Sequence, residues 1–259
     1  MAFPIIHQQS GGVSPSELMV FGERNSGTNL VDALLQRNVP ALAGSPGDRI
    51  GRFGFRYGWK HGFPQMLAAP DACLAVAVFR HPEPWVRSMH ARPWHAVPAL
   101  RDMVFEAFIR AEWQSRVDER NFGVDDGDAR AMAELHWDRH PLTGARFTNI
   151  AQLRRTKTQG FLSLKARFAN CLFVRHEDVV DQPQVLVEHV AAHFGLHTEP
   201  EFQPIEDRRG KAGDGTYTPS DYAPLDPAER DWLWSQLDPA QEEALGYAPL
   251  SSAAGQSRS

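Results

Sequence analysis

Four groups of residues in this sequence have the types and spacing needed to hold a phosphate or move a proton. The first is Gly22-Glu23-Arg24-Asn25-Ser26-Gly27-Thr28-Asn29, a polar loop bracketed by two glycines. Glycine frees the backbone, so that successive N–H groups can turn toward one point and bind an anion. The second is Lys60-His61. It sets a compact cation beside a proton acceptor whose unperturbed pKa of about 6.5 suits proton transfer near neutrality. The third is Arg80 with Ser88 eight residues later, a guanidinium and a hydroxyl able to grip one phosphate from two sides. The fourth is Arg208-Arg209-Gly210-Lys211-Ala212-Gly213-Asp214-Gly215, a basic loop with mobile glycine backbone.

The pattern around these groups predicts the elements that must position them. Leu18 to Phe21 is a short apolar run of strand type, and beyond the loop Leu30, Val31, Leu34 and Leu35 recur at helical spacing until Asn38 and Pro40 stop them. The order strand, loop, helix aims the positive end of the helix dipole at the loop. Gly22 and Gly27 have the spacing of the two glycines in a Walker A loop, but Thr28 stands where its lysine belongs, which counts against an ATP or GTP hydrolase. Ala72 to Phe79 is a continuous apolar run, the mark of a parallel strand covered on both faces, and Arg80 falls at its carboxyl end, where ligands bind in α/β sheets. Pro82 and Pro84 suit the start of a helix that carries Ser88. Cys171 to Val174 is another buried strand, ending in Arg175-His176-Glu177-Asp178. A helix from Pro183 to Gly195 follows it, with further helices at Pro227–Leu237 and Pro239–Leu245.

Between these landmarks, residues 40–58 read as a glycine- and arginine-rich loop with a short irregular strand. Residues 99–160 are mainly helical in pattern, broken by the turn-rich acidic stretch 121–128. His136 and His140 stand one helical turn apart, but Trp137 replaces the glutamate of a zinc-protease helix and no third ligand is evident, so no metal is expected. Arg154, Arg155 and Lys157 read as a solvated helix face. No linker divides residues 16–250, and residues 1–15 and 251–259 read as flexible termini. The fold expected is a single α/β domain with a central, mostly parallel sheet flanked by helices, and a helical cap inserted at about 99–160.

Composition bounds the partners. With 42% hydrophobic residues in 259, the chain can bury one substantial core. A net charge of −5 argues against a general nucleic-acid binder. No apolar run reaches membrane-spanning length, and the first ten residues lack the basic start and apolar core of a secretory signal. The two cysteines, Cys73 and Cys171, sit in apolar runs and read as reduced, buried thiols of a cytoplasmic protein. Only Lys60, Lys157, Lys165 and Lys211 are lysines among 27 basic residues, which draws attention to Lys60 beside a histidine.

Taken together, these stretches resemble the sulfotransferases that use 3′-phosphoadenosine 5′-phosphosulfate. Four segments match in order from about residue 18 to residue 214. The run Asn25-Ser26-Gly27-Thr28-Asn29 is similar to the family's phosphosulfate loop. Arg80, Pro82 and Ser88 fit the spacing of its 3′-phosphate grip. Arg175-His176-Glu177-Asp178 looks like its Tyr-Glu-Asp strand end, and Arg208 to Asp214 its closing Arg-Lys-Gly-x-x-Gly-Asp loop. The resemblance implies a P-loop-like fold and transfer of a sulfuryl group to a hydroxyl or amine of a small-molecule or carbohydrate acceptor. It also implies that no metal is needed, because the donor's leaving group is already good. By the same resemblance, Arg24 to Asn29 hold the phosphosulfate, and Arg80, Ser88, Arg208, Arg209 and Gly210 hold the 3′-phosphate. His61 is the base, with Lys60 and Arg24 neutralising charge. Three departures stand out. Asn25 replaces the loop's basic residue, Leu30 replaces the tryptophan that stacks on adenine in the cytosolic branch, and Lys60-His61 with Pro64 alters the spacing of that branch's Lys-x-His-x-Pro. A small-molecule P-loop kinase and a nucleotide-binding protein without catalysis remain the alternatives.

Overall fold

A computed structural model of the chain describes residues 2–47, 50–51, 54–118, 122, 124–125, 127–205 and 222–251. In chain order its elements are β1 (His7–Gln9), β2 (Glu17–Phe21), α1 (Thr28–Asn38), β3 (Ile50–Gly51), β4 (Gly54–Phe55) and β5 (Cys73–Phe79). There follow α2 (Pro82–Ala91), α3 (Pro98–Arg101), α4 (Phe105–Arg110), α5 (Ile150–Leu162) and β6 (Asn170–Arg175). The last are α6 (His176–Asp181), α7 (Pro183–Phe194), α8 (Pro227–Gln236) and α9 (Pro239–Ala244). The fold is α/β. The chain divides into two compact units, residues 1–81 with 160–220, and residues 82–159 with 221–259. None of the described helices is long and apolar enough to cross a membrane.

The first unit is built on a four-stranded mixed sheet of order β1-β6-β5-β2. β2 runs parallel to β5 and β5 parallel to β6, while β1 lies antiparallel on the β6 edge with His7 opposite Phe173. The register sets Phe21 beside Ala77 and Phe79 beside Arg175, so the three parallel strands release their chains at one end of the sheet. Leu18 and Val20, Leu74, Val76 and Val78, and Leu172 and Val174 alternate along their strands and pack on Leu30, Val31, Leu34 and Leu35 of α1 and Leu186, Val187, Val190 and Phe194 of α7. The intervening Met19, Phe21, Ala75, Ala77, Cys171 and Phe173 are buried as well. Both faces are thus covered, which accounts for the continuous apolar runs. Each fully buried side chain of this size contributes about 1.5–3 kcal/mol. Cys73 and Cys171 are free, buried thiols.

Residues 1–15, expected to be a flexible lead-in, supply β1 instead. Ile6 donates its N–H to the Phe173 carbonyl at 3.1 Å and extends this ladder. An edge strand needs backbone pairing more than apolar side chains, so His7-Gln8-Gln9 carries no pattern that announces it.

The second unit corrects two expectations. Between α4 and α5 the described residues are mainly turns, with isolated bridges Ala96–Ser115 and Arg116–Glu134 and a 3-10 turn at His136–Asp138, rather than helices. Polar ties over long sequence distances hold this stretch. Glu134 accepts hydrogen bonds from both Arg139 and Arg146, and Asp138 accepts from Trp113 Nε1 at 3.1 Å and from the Ser115 hydroxyl. Nor do Arg154 and Lys157 lie on a solvated face. Lys157 is fully buried and paired with Asp138, and Arg154, 2% exposed, grips Glu242 of α9 through two hydrogen bonds of 2.8 Å and lies over the Trp85 ring. Arg155 is the exposed member of the three.

The Arg154–Glu242 pair yields a stability test. Glu242→Ala leaves a guanidinium buried without its carboxylate and is expected to cost about 3–5 kcal/mol in chemical denaturation. Arg154→Met combined with Glu242→Leu is expected to recover most of that loss, because an apolar pair has no charge to desolvate. A loss below about 1 kcal/mol for Glu242→Ala, the scale of a surface pair, contradicts the buried-pair account.

Candidate functional site

The first unit brings several of the sequence candidates together at the carboxyl ends of β2, β5 and β6. β2 leads through Gly22–Gly27 into α1, whose first turn keeps amide groups that the helix itself cannot pair. Gly27 is the N-cap, in the left-handed region at φ 95°, and its carbonyl accepts from the N–H groups of Leu30 and Val31. Asn25 is also left-handed, at φ 61°. Inside the loop the Ser26 N–H donates to the Glu23 carbonyl at 3.1 Å. Position 22 is confined for a different reason: a Cβ there would lie 2.5 Å from the Val78 carbonyl oxygen and 2.6 Å from Ser26 Oγ.

The segment Trp59-Lys60-His61 braces this loop. The Gly22 N–H donates to the Lys60 carbonyl at 3.0 Å, and His61 Nδ1 donates to the Gly22 carbonyl at 2.7 Å. A carbonyl only accepts, so in the neutral ring Nδ1 carries the proton and Nε2 presents its lone pair. Lys60 Nζ donates to Asn29 Oδ1 at 2.7 Å, which brings the ammonium to the first turn of α1. Trp59 is buried, with the Arg24 guanidinium 5.4 Å from its ring centroid and the His61 ring set edge-on at 5.5 Å. Arg24 itself is 1% exposed.

Arg80 leaves β5 and donates from Nη1 to the Asn25 carbonyl at 2.8 Å, so the guanidinium holds the loop backbone. The N–H of His81 donates to Glu177 Oε1 at 2.9 Å and ties the β5 exit to α6. His176, the first residue of α6, is 8% exposed and packs against Gly27: a Cβ on that glycine would lie 2.4 Å from His176 Nδ1. Burial, and then the charge of Arg80, push its pKa down to about 3, so the ring stays neutral at physiological pH.

Ser88 lies on α2, in the second unit, where the Tyr222 hydroxyl donates to it at 3.2 Å. Arg208, Arg209 and Gly210, with the loop that contains them, lie outside the described residues. Among the described residues no three His, Cys, Asp or Glu side chains are grouped so as to hold a metal ion. Sequence reasoning left Trp59 and His176 without a role. Trp59 had a signal, being the aromatic neighbour of the Lys-His pair. His176 had none, because only the register of β6 against β5 carries it toward the loop. No family model matches the chain, and neither a curated protein nor a solved structure is significantly similar to it.

Two tests follow from His176 and Gly27. Gly27→Ala forces a left-handed φ on alanine and drives its Cβ into the imidazole. It is expected to cost at least the ~1–3 kcal/mol typical of such backbone strain, read as a lowered Tm. Wild-type stability in that variant contradicts the packing described. The second test concerns pH. The His176 pKa is depressed in the folded state, so its contribution to stability is present above the unfolded value of about 6.5 and is lost as pH falls from there toward about 3. Between pH 7.5 and 5 the wild type is expected to lose about 2 kcal/mol more than His176→Phe in urea unfolding. Parallel pH profiles for the two proteins contradict this.

Proposed function

We propose that the Gly22–Asn29 loop of a P-loop-like first unit binds the 5′-phosphosulfate of 3′-phosphoadenosine 5′-phosphosulfate, and that the chain transfers the sulfuryl group to a hydroxyl or amine. The observation that carries this reading is the placing of Lys60 Nζ at Asn29 Oδ1. Thr28 occupies the lysine position of a Walker A loop and Asn25 the basic position of the sulfotransferase loop, and Lys60 brings from another segment the cation that both lack. The amides of α1's first turn and the ammonium supply the positive end that a phosphosulfate requires.

In the proposed reaction the acceptor oxygen or nitrogen attacks sulfur in line. Its new bond to sulfur forms as the bond from sulfur to the bridging oxygen breaks, and that electron pair leaves on adenosine 3′,5′-bisphosphate. The acceptor's proton passes to His61 Nε2, the nitrogen left as acceptor by the Nδ1 bond to Gly22. Lys60 neutralises charge growing on the bridging oxygen, commonly the largest catalytic contribution. The Arg24 guanidinium lies over the Trp59 ring, and Arg80 holds the Asn25 carbonyl of the loop.

Calorimetric titration with adenosine 3′,5′-bisphosphate, paired with transfer of labelled sulfuryl groups to a panel of acceptors, tests the reading. Magnesium-dependent turnover of ATP would favour a small-molecule kinase instead, and tight bisphosphate binding with transfer to no acceptor a nucleotide-binding protein without chemistry. Substitution separates the two neighbours. His61→Asn keeps an N–H where Nδ1 was and removes Nε2. It is expected to lower turnover by about 10²–10⁴-fold with Tm and bisphosphate affinity nearly intact. Lys60→Ala is expected to weaken the phosphosulfate more than the sulfate-free product, and Lys60→Arg not to rescue fully, since a planar fork replaces a compact charge. Normal turnover in His61→Asn removes histidine from the chemistry.

A further inference from the structure

Two buried polar atoms flank the N-terminus of α1 and have no hydrogen-bond partner among the described residues. One is Ser26 Oγ, in a residue 1% exposed; the other is Nδ1 of His176, in a residue 8% exposed. They come to this helix end from different parts of the chain. Ser26 precedes it in the loop after β2, and His176 stands at the exit of β6 with Nδ1 2.4 Å, and Cε1 3.1 Å, from the place a Cβ on Gly27 would take. A buried polar atom left without a partner is unfavourable, and two of them at a helix end that favours anions are satisfied together by one bound oxyanion. Both can donate. A serine hydroxyl rotates freely, and a neutral imidazole holds one N–H that shifts to whichever nitrogen faces an acceptor. Burial and Arg80 keep the ring neutral, so it adds a donor without adding charge.

We propose that His176 Nδ1 and the Ser26 hydroxyl are a pair of neutral donors for a phosphate or sulfate oxygen of the ligand at Gly27, and that His176 is therefore a ligand-binding residue. The inference rests on the phosphosulfate reading of the loop, but requires only that a tetrahedral oxyanion bind there. The division of labour is physical. Lys60 supplies net charge and attracts any anion, whereas two neutral donors at fixed positions orient one oxygen and add no long-range attraction. Gly27 then has a second purpose, since any side chain at that position would displace the ring that donates.

The test is a titration of the intact protein followed through imidazole ¹⁵N resonances, first with adenosine 3′,5′-bisphosphate and separately with inorganic pyrophosphate. The expected result is that His176 Nδ1 moves toward the protonated, N–H type of shift and saturates with each ligand. His176→Phe is expected to bind both ligands about tenfold more weakly, the scale of one lost hydrogen bond to a charged acceptor. His176→Asn, whose amide nitrogen takes the place of Nδ1, is expected to stay within about threefold of wild type. If the phenylalanine variant does not fold, the wild-type titration decides alone. Bisphosphate binding with Nδ1 unmoved overturns the donor role of His176 and leaves the sulfotransferase reading standing. Pyrophosphate moving Nδ1 while the nucleotide does not bind supports the donor pair and overturns the nucleotide reading. An Nδ1 unmoved by either ligand overturns the inference.

Discussion

Both backbone polar groups of Gly22 are hydrogen-bonded to one short segment, the N–H to the Lys60 carbonyl and the carbonyl to His61 Nδ1. Most of the site's geometry depends on this clamp. It sets the height of Lys60 so that the ammonium meets Asn29, it selects the tautomer of His61, and it seats Trp59 against the Arg24 guanidinium. The clamp also needs glycine at position 22, because the loop must pass close to the Val78 carbonyl. A side chain there would separate the loop from β5 and undo the alignment of the Lys-His pair.

The parallel sheet supplies the second constraint. Because β2, β5 and β6 run the same way in register, the loop, Arg80 and His176 emerge from one end of it. Their electrostatics are coupled. Arg80 uses its guanidinium to hold the Asn25 carbonyl, and the same charge, added to burial, holds His176 neutral. A single arginine thus stabilises the loop and adds to the burial that keeps the neighbouring ring neutral.

The second unit is organised differently. Its interior contains the Arg154–Glu242 pair, with Lys157, Asp138, Trp113 and Ser115 forming a second connected group. Such groups are costly to desolvate and tolerable only when fully hydrogen-bonded, so they demand a specific arrangement of the turns that carry their partners. This explains how the described residues between α4 and α5 hold a defined path with little regular secondary structure.

Local pattern was enough to reveal β2, β5, β6 and α1 of the first unit, though not its edge strand β1. The apolar runs at Leu18–Phe21, Ala72–Phe79 and Cys171–Val174 became β2, β5 and β6, and helical spacing with the stop at Asn38 became α1. Those signals are strong because burial on both faces of a sheet, or along one stripe of a helix, leaves a direct mark on neighbouring residues. The Lys-His pair and the glycine loop were legible for the same reason, as residue types whose chemistry is local. What joins them was not. Only the tertiary structure could bring Lys60 to Asn29, Arg80 to Asn25 and His176 to Gly27, contacts between residues 31, 55 and 149 positions apart whose formation depends on strand register and loop closure. It likewise buried Arg154 and Lys157, which look from sequence like any charged helix face, because their acidic partners lie 88 and 19 residues away and leave no periodic trace beside them.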